Sequence, residues 1–315
     1  MAAGIKIGVS SCLLGENVRY DGGHKHDHYI TDLLGRFFNF LPVCPEVECG
    51  MPVPREAMRL VGDPAAPRLV TTRTGIDKTE QMLSFCQAKV AQLETEDLCG
   101  FIFKKNSPSS GLFRVKVYRE GMPARSGSGL FAAAVVAHFP NLPVEEEGRL
   151  NDPELRENFI ERVFAYRRWK DLVAENPDLG KLVGFHTRHK LILLAHSTVL
   201  YRELGSLVAQ GGSMPLPELL RRYEELFMRA LALLATVKKN TNVLQHIMGY
   251  FKKQLSGSEK EELGEVIRQY HQQLVPLVVP VTLLRHYVNK YDQRYLKEQL
   301  YLAPAPAELM LRNHV

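Results

Sequence analysis

The chain has 315 residues, 45% of them apolar and 24% charged, with a formal net charge of +5. That length is long for one domain and comfortable for two, and the apolar share supports a packed core. Membrane-spanning and disulfide-framed classes are excluded. The best apolar candidate, Leu274 to Leu284, is short and interrupted by Pro276 and Pro280, while the five cysteines are odd in number and confined to the first hundred residues.

The cysteine usage indicates a reducing compartment, so the cytoplasm is the expected location. The start of the chain has one lysine before a brief apolar run, which reads as a first strand rather than a signal peptide. Ile5-Lys6-Ile7-Gly8-Val9 is that strand, and it runs into Ser10-Ser11-Cys12-Leu13-Leu14-Gly15. A turn-rich loop covers 16–23, and a helix is expected over 29–38. A second strand, Phe40-Leu41-Pro42-Val43, runs into Cys44-Pro45-Glu46, after which Pro45, Pro52 and Pro54 keep the chain extended or looped. Asp77 is an expected N-cap, with Glu80 completing a capping box, for a helix to about Leu93. Cys99-Gly100-Phe101-Ile102-Phe103 reads as a strand that exits through two lysines into Ser107-Pro108-Ser109-Ser110-Gly111. Then come a β-branched strand at 115–118, a helix at 130–138 and a last strand at 142–145. Alternating strands and helices predict an α/β domain with a mainly parallel sheet. In such a sheet, ligands bind outside the carboxyl ends of the strands. The segments after the first, second and Cys99 strands are therefore expected to meet at one edge, bringing together two cysteines, a carboxylate and several hydroxyls.

The pattern changes near Glu147-Gly148-Arg149. Asp152-Pro153-Glu154 reads as an N-cap with proline at the first helical position. Helices are expected at about 153–175, 181–210, 216–236, 241–255, 258–274 and 279–291, an all-α domain without a fixed repeat. The two domains are placed at 1–147 and 148–315. Residues 1–146 carry 16 basic and 16 acidic side chains, and residues 147–315 carry 24 and 19, so the whole positive excess lies in the second half. It is either a solvated helical surface or a surface attracting a polyanion such as RNA.

Cys12 and Cys44 each follow a strand, which favours function over a buried structural thiol. Glu46 is a candidate general acid or base. Cys49 gives a C-x4-C spacing with Cys44, a weak iron–sulfur signal. Cys86 and Cys99 read as core. His24, His26 and His28 alternate, as a metal-binding segment or a solvent loop would. His186, His189 and His196 share a helical face, but they lack the acidic residue of the zincin pattern. A structural or RNA-facing role is expected for them. Basic residues Arg167, Arg168, Arg188, Lys190, Lys238, Lys239, Lys252 and Lys253 are candidate phosphate contacts, with Trp169, Tyr250 and Phe251 as candidate stacking rings. Unaided, these residues support a cysteine-based or iron–sulfur site on an α/β domain joined to a basic helical domain. They name no reaction.

Longer motifs carry a resemblance. Ser11-Cys12-Leu13-Leu14-Gly15 with Arg19-Tyr20-Asp21-Gly22-Gly23, Pro42-Val43-Cys44-Pro45-Glu46, Pro52-Val53-Pro54-Arg55 and Ser107-Pro108-Ser109 resemble the thiouracil desulfidase (TudS-type) family over about 1–146. The remainder resembles the YbgA-type helical domain. The segments that carry it are Asn158-Phe159-Ile160-Glu161-Arg162-Val163-Phe164-Ala165-Tyr166, Phe185-His186-Thr187-Arg188-His189-Lys190, Asn242-Val243-Leu244-Gln245-His246 and Glu308-Leu309-Met310-Leu311-Arg312. The pairing is similar to bacterial desulfidases that remove sulfur from 4-thiouridine in tRNA. The resemblance implies a [4Fe–4S] cluster held by three cysteines, with one iron open to the thiocarbonyl sulfur. Carried over by position, Cys12 and Cys44 are two ligands, Glu46 the proton-transfer residue and Ser107 a positioning or relaying hydroxyl. The helical domain is the implied surface for tRNA, and the oligomeric state is left open.

The family pattern is Ser-Pro-Ser-Cys-Gly, and Ser110 stands where the third cysteine is expected. Three readings are open: an engineered change, a natural substitution with Ser110 or Cys49 as the ligand, or a chain that has lost its cluster. Asn240 also stands where a histidine is expected. The expected function is tRNA 4-thiouridine desulfidation. The alternatives are a non-catalytic RNA-binding protein on a degenerate scaffold and a desulfidase of free thiouracil or thiouridine.

Overall fold

A computed structural model describes residues 4–119 and 122–314, and the chain divides into two compact units, Met1–Asp152 and Pro153–Val315. The first unit runs β1 (Ile5–Ser10), β2 (Phe38–Val43), a one-turn helix α1 (Pro45–Glu48), β3 (Met58–Val61), β4 (Arg68–Thr71), α2 (Thr79–Leu93), β5 (Leu98–Phe103), β6 (Val115–Arg119), β7 (Met122–Gly127), α3 (Leu130–His138) and β8 (Val144–Glu146). Four strands form a wholly parallel sheet in the order β2-β1-β5-β8. β1 lies inside, with β2 on one side and β5 on the other, so the direction of winding reverses there. This is the position at which parallel sheets open a crevice beyond their strand ends. All six residues of β5 are buried, which is why its sequence is one apolar run rather than an alternation.

A second sheet, ordered β4-β3-β6-β7, joins two antiparallel hairpins through a parallel β3–β6 pair. Only β6 is legible in the sequence. β3 and β4 are four residues each, too short for a period-2 signal. β7 contains Pro123, which is tolerated because β7 is an edge strand.

Three local expectations are corrected. Over 29–38 there is a π-turn (Tyr29–Leu33) and a 3-10 turn (Leu34–Arg36) rather than one helix, because Phe38 to Val43 pair residue for residue with β1. Pro45 opens α1 as its first helical residue rather than keeping the chain extended. Asp77 bonds the Thr79 N–H and bridges to Val70, but the N-cap position is Lys78, and no capping box forms with Glu80.

The second unit comprises α4 (Pro153–Ala174), α5 (Leu179–His196), α6 (Thr198–Ala209), α7 (Leu216–Leu231), α8 (Val237–Tyr250), α9 (Gly257–His271), α10 (Val278–Lys290) and α11 (Arg294–Lys297), with no strand among its described residues. The helix expected over 181–210 is two helices. Ser197 leaves helical geometry (φ −159°), and its hydroxyl accepts the Leu200 N–H to start α6. The core is aromatic: Trp169 stacks on Tyr223 at 5.2 Å and meets Phe185 edge-on at 5.4 Å, and Phe227 packs on both Phe185 and Tyr223. Among the described residues no helix is long and apolar enough to cross a membrane.

Candidate active site at the ends of the parallel strands

The loops leaving β1, β2 and β5 meet around a cavity of about 460 Å³. Its wall includes Ser10, Ser11 and Cys12 from the first loop, Cys44 and Glu46 from the second, and Lys104, Ser107 and Ser110 from the third. The strand ends are tied together: Ser10 Oγ accepts the Lys104 N–H at 3.0 Å. Cys44 sits at the N-cap position of α1, where Glu48 accepts its N–H at 2.8 Å and pairs with Lys89 of α2 at 2.8 Å.

The Ser107–Gly111 loop is held from two sides. Its Pro108 and Ser109 carbonyls accept the N–H groups of Leu130, Phe131 and Ala132, the otherwise unsatisfied first turn of α3. Gly129 allows this approach, since a Cβ there would lie 2.4 Å from the Ser109 carbonyl. From the other side, buried carboxylates near the end of β8 grip the backbone. Glu147 accepts the Lys105 N–H at 2.8 Å and pairs with the Lys104 ammonium, and Glu146 Oε1 accepts the N–H groups of Leu112 and Phe113 at 2.8 and 3.1 Å.

Glu46 is the centre of the polar chemistry. Ser109 Oγ donates to its Oε1 at 2.5 Å, and Ser107 Oγ lies 3.0 Å from Ser109 Oγ and 3.5 Å from Glu46. Ser107 Oγ already accepts the Ser109 and Ser110 N–H groups at 3.3 and 3.1 Å. Its own proton is thereby aimed along the chain towards Ser109 and Glu46. Arg55 backs the same carboxylate: its Nη2 is 4.0 Å from Glu46 Oε2, and its Nη1 donates to Val18 O at 3.0 Å. Ser109, Arg55 and Lys104 were given no role from sequence. Ser109 lies within the motif, Arg55 ends the Pro-Val-Pro-Arg motif and Lys104 exits β5, so position was available as a signal and orientation was not.

All five cysteines are free thiols. Burial pushes Cys12 up to about 11, partly offset by Lys104. Burial, with Glu46 adding to it, pushes Cys44 up to about 12. Both are therefore neutral thiols near pH 7, and a metal would have to displace their protons. Ser110 is buried and lines the same cavity, its Oγ 3.4 Å from that of Ser109. Cys49 does not join them. Its Sγ donates to Glu46 O at 3.2 Å and it is absent from the cavity wall, at the opposite end of α1 from Cys44. Among the described residues no group of three or more His, Cys, Asp or Glu is placed to hold a metal ion. The donor set on the cavity is thus two thiols and one hydroxyl from three separate loops. It fits an iron–sulfur group at two sulfur corners and one oxygen corner.

Cys86 and Cys99 are buried in α2 and β5. His24, His26 and His28 lie in an exposed loop, with His26 bonded to Thr31 and His28 to Asp32. In the second unit several expected RNA contacts are internal. Trp169 and Phe251 are buried and cannot stack on a base. Arg168 donates to Pro304 O at 2.8 Å and points at His189, and Lys239 donates to the carbonyls of His196 and Leu234. Arg167 pairs with Asp171. Arg188, Lys238, Lys252 and Lys253 are exposed and Lys190 is half-buried. The three histidines are structural: His186 meets Tyr223 OH, His189 the Phe185 carbonyl, and His196 both Glu161 and the Leu233 carbonyl.

Comparison with known proteins finds two separate family matches. Residues 7–147 match the family described as 2-thiouracil desulfurase, and residues 190–306 match that described as protein of unknown function (DUF1722). The chain is 31% identical over 153 residues to "Uncharacterized protein YbgA" of Escherichia coli (strain K12), covering 48% of this chain and 90% of the relative. It is 28% identical over 149 residues to "Uncharacterized protein YbbK" of Bacillus subtilis (strain 168), covering 46% of this chain and 97% of the relative. A solved structure titled "[4Fe-4S]-dependent thiouracil desulfidase TudS" is 29% identical over 47% of this chain and 94% of its own, with a TM-score of 0.39.

Proposed function

Because the chain belongs to the family of YbgA and carries a 2-thiouracil desulfurase domain over residues 7–147, we propose that it removes sulfur from a thiolated uracil by hydrolysis, with 4-thiouridine in tRNA as its substrate. The observation that carries this reading is the convergence of Cys12, Cys44, Ser110, Glu46 and Ser107 on one cavity. The reaction is redox-neutral: a thiocarbonyl and water give a carbonyl and hydrogen sulfide. Cys12, Cys44 and Ser110 would hold a [4Fe–4S] cluster, which when bound supplies a Lewis acid with affinity for sulfur. Glu46 takes a proton from the attacking water at its carboxylate and returns it to the departing sulfur. Ser109 and Ser107 keep that carboxylate oriented and carry a proton path to the cavity wall. Arg55 fixes the other oxygen side.

The cavity wall favours a nucleotide over a free base. Of its five cations, Lys104 pairs with Glu147, Arg19 with Asp21 and Arg55 backs Glu46, which leaves Lys25 and Lys105 suited to phosphate. A purely non-catalytic role leaves the Ser107–Ser109–Glu46 chain, open on a cavity, without a purpose.

The test is anaerobic reconstitution of the chain and of Ser110→Cys in parallel, followed by sulfide release from thiolated tRNA and from free 2-thiouracil. About four iron and four sulfide per chain are expected in the cysteine variant, with uridine formed in tRNA. A loaded variant that releases sulfide from neither substrate would overturn the reading.

A further inference from the structure

We propose that Tyr20 is the seat of the substrate base: its ring stacks on the thiolated pyrimidine and fixes the plane of that ring against Glu46. The identity of the base rests on the function proposed above, whereas the seat is argued from the cavity wall. Tyr20 is the one aromatic ring on that wall among the described residues. Arg19 covers one of its faces, with the guanidinium carbon 5.5 Å from the ring centroid. The residue is still 44% exposed, so the second face is open. Its hydroxyl makes no hydrogen bond among the described residues. The ring is therefore offered as a surface and not as a polar contact.

The backbone beneath it is held. The Gly22 N–H donates to the Arg19 carbonyl at 3.0 Å, and the Arg19 N–H donates to the Gly23 carbonyl at 3.2 Å, which closes a tight turn over Tyr20 and Asp21. The Arg55 N–H donates to the Tyr20 carbonyl at 2.8 Å. The guanidinium of the same Arg55 stands 4.0 Å from Glu46 Oε2. One residue thus sets the aromatic ring and the proton-transfer carboxylate in a common frame. The chemistry needs such a frame. Water adds to a thiocarbonyl carbon from above or below the ring plane, and Glu46 takes a proton from that water. The plane of the pyrimidine must therefore be fixed relative to the carboxylate. A base lying on an aromatic face has its plane fixed and its edges free. A hydrogen bond to one edge would leave the ring able to tilt.

The test uses the full chain without added iron and two probes that carry no sulfur, uridine 5′-monophosphate and ribose 5-phosphate. Their binding is measured by isothermal titration calorimetry for the parent, Tyr20→Leu, Tyr20→Phe and Tyr20→Trp. The parent is expected to bind the nucleotide more tightly than the sugar phosphate. Tyr20→Leu should weaken the nucleotide about tenfold, whereas Tyr20→Phe and Tyr20→Trp should bind it at least as tightly as the parent. Ribose 5-phosphate should bind all four equally, since it has no base to stack. In the loaded Ser110→Cys chain, adding Tyr20→Leu should lower kcat/KM for free 2-thiouracil by about the same factor with iron content unchanged, and adding Tyr20→Phe should not. Equal binding of the two probes by the parent would overturn the seat. So would a nucleotide preference that survives Tyr20→Leu, a loss in Tyr20→Phe as large as in Tyr20→Leu, or a weakening of ribose 5-phosphate alongside the nucleotide. A ring-dependent preference in a chain whose loaded form releases no sulfide would overturn the proposed function and leave the seat standing. Sulfide release indifferent to Tyr20→Leu would do the reverse.

Discussion

Both units bury ionisable side chains, yet they close them in opposite ways. In the second unit the groups pair with one another. Glu161 takes a hydrogen bond from His196 at 3.1 Å and lies 3.4 Å from Arg312 Nη2, and Glu157 accepts the Arg312 N–H at 2.8 Å. In the first unit the chain of Ser107, Ser109 and Glu46 ends on an open wall beside two thiols. Residue types alone do not separate these cases: a helical face with three histidines and a glutamate resembles a metal site until the ring nitrogens are traced, both of His189 and both of His196 to partners and His186 Nδ1 to Tyr223 OH, with only His186 Nε2 left over. Capacity left over after internal bonding is what marks a reactive site.

That difference can be broken from either side. The largest effect is expected at Glu46→Gln. Turnover should fall on the order of a hundredfold to ten-thousandfold while iron and sulfide content stay unchanged, as checked by single-turnover sulfide release on the loaded protein. Arg312→Met should instead cost about 3 kcal/mol of stability, because the buried Glu157 and Glu161 would lose the guanidinium between them, leaving Glu161 with His196 and the charge of Arg168. Denaturant unfolding would show this, with 2-thiouracil turnover at low denaturant preserved.

Glu146→Ala leaves the Leu112 and Phe113 N–H groups unpaired beneath the Ser107–Gly111 loop. A loss of about 2–3 kcal/mol is expected, read by thermal or urea unfolding, with Glu146→Gln milder because one acceptor oxygen survives. An effect of comparable size is a pH response. Burial, with Lys190 adding repulsion, holds His186 down to about 4. A folded value below the unfolded 6.5 means that stability is intact above pH 6.5 and is lost as pH falls towards 4, by at most about 3 kcal/mol. For Glu161, burial pushes the carboxyl up, but His196, Arg312 and Arg168 outweigh it and hold the group to about 2, so its contribution is lost in a lower window, from about pH 4.5 down to 2. His186→Gln should shrink the upper window without abolishing it, because burial and Arg168 also hold His189 well below its ordinary value, and should leave the lower one intact in an acid titration followed by circular dichroism.

From the sequence came the strands β1, β2 and β5, the helix between β2 and β5, the turn to an all-helical second unit, and the strand exits at Cys12, Cys44 and Ser107–Ser110. Those signals are local: apolar runs, proline and glycine punctuation, and motif spacing. Tertiary structure alone decided the rest. The second sheet was hidden because four-residue strands gain their meaning from partners distant in sequence. Cys49 stands off the cavity wall because α1 separates it from Cys44, with its thiol turned back onto the Glu46 carbonyl. Arg168, Trp169 and Phe251 proved internal because a basic or aromatic side chain reads alike whether it faces water or a core. Chemistry is written in residue types, but which of those residues meet, and which retain free valence when they do, is settled by packing.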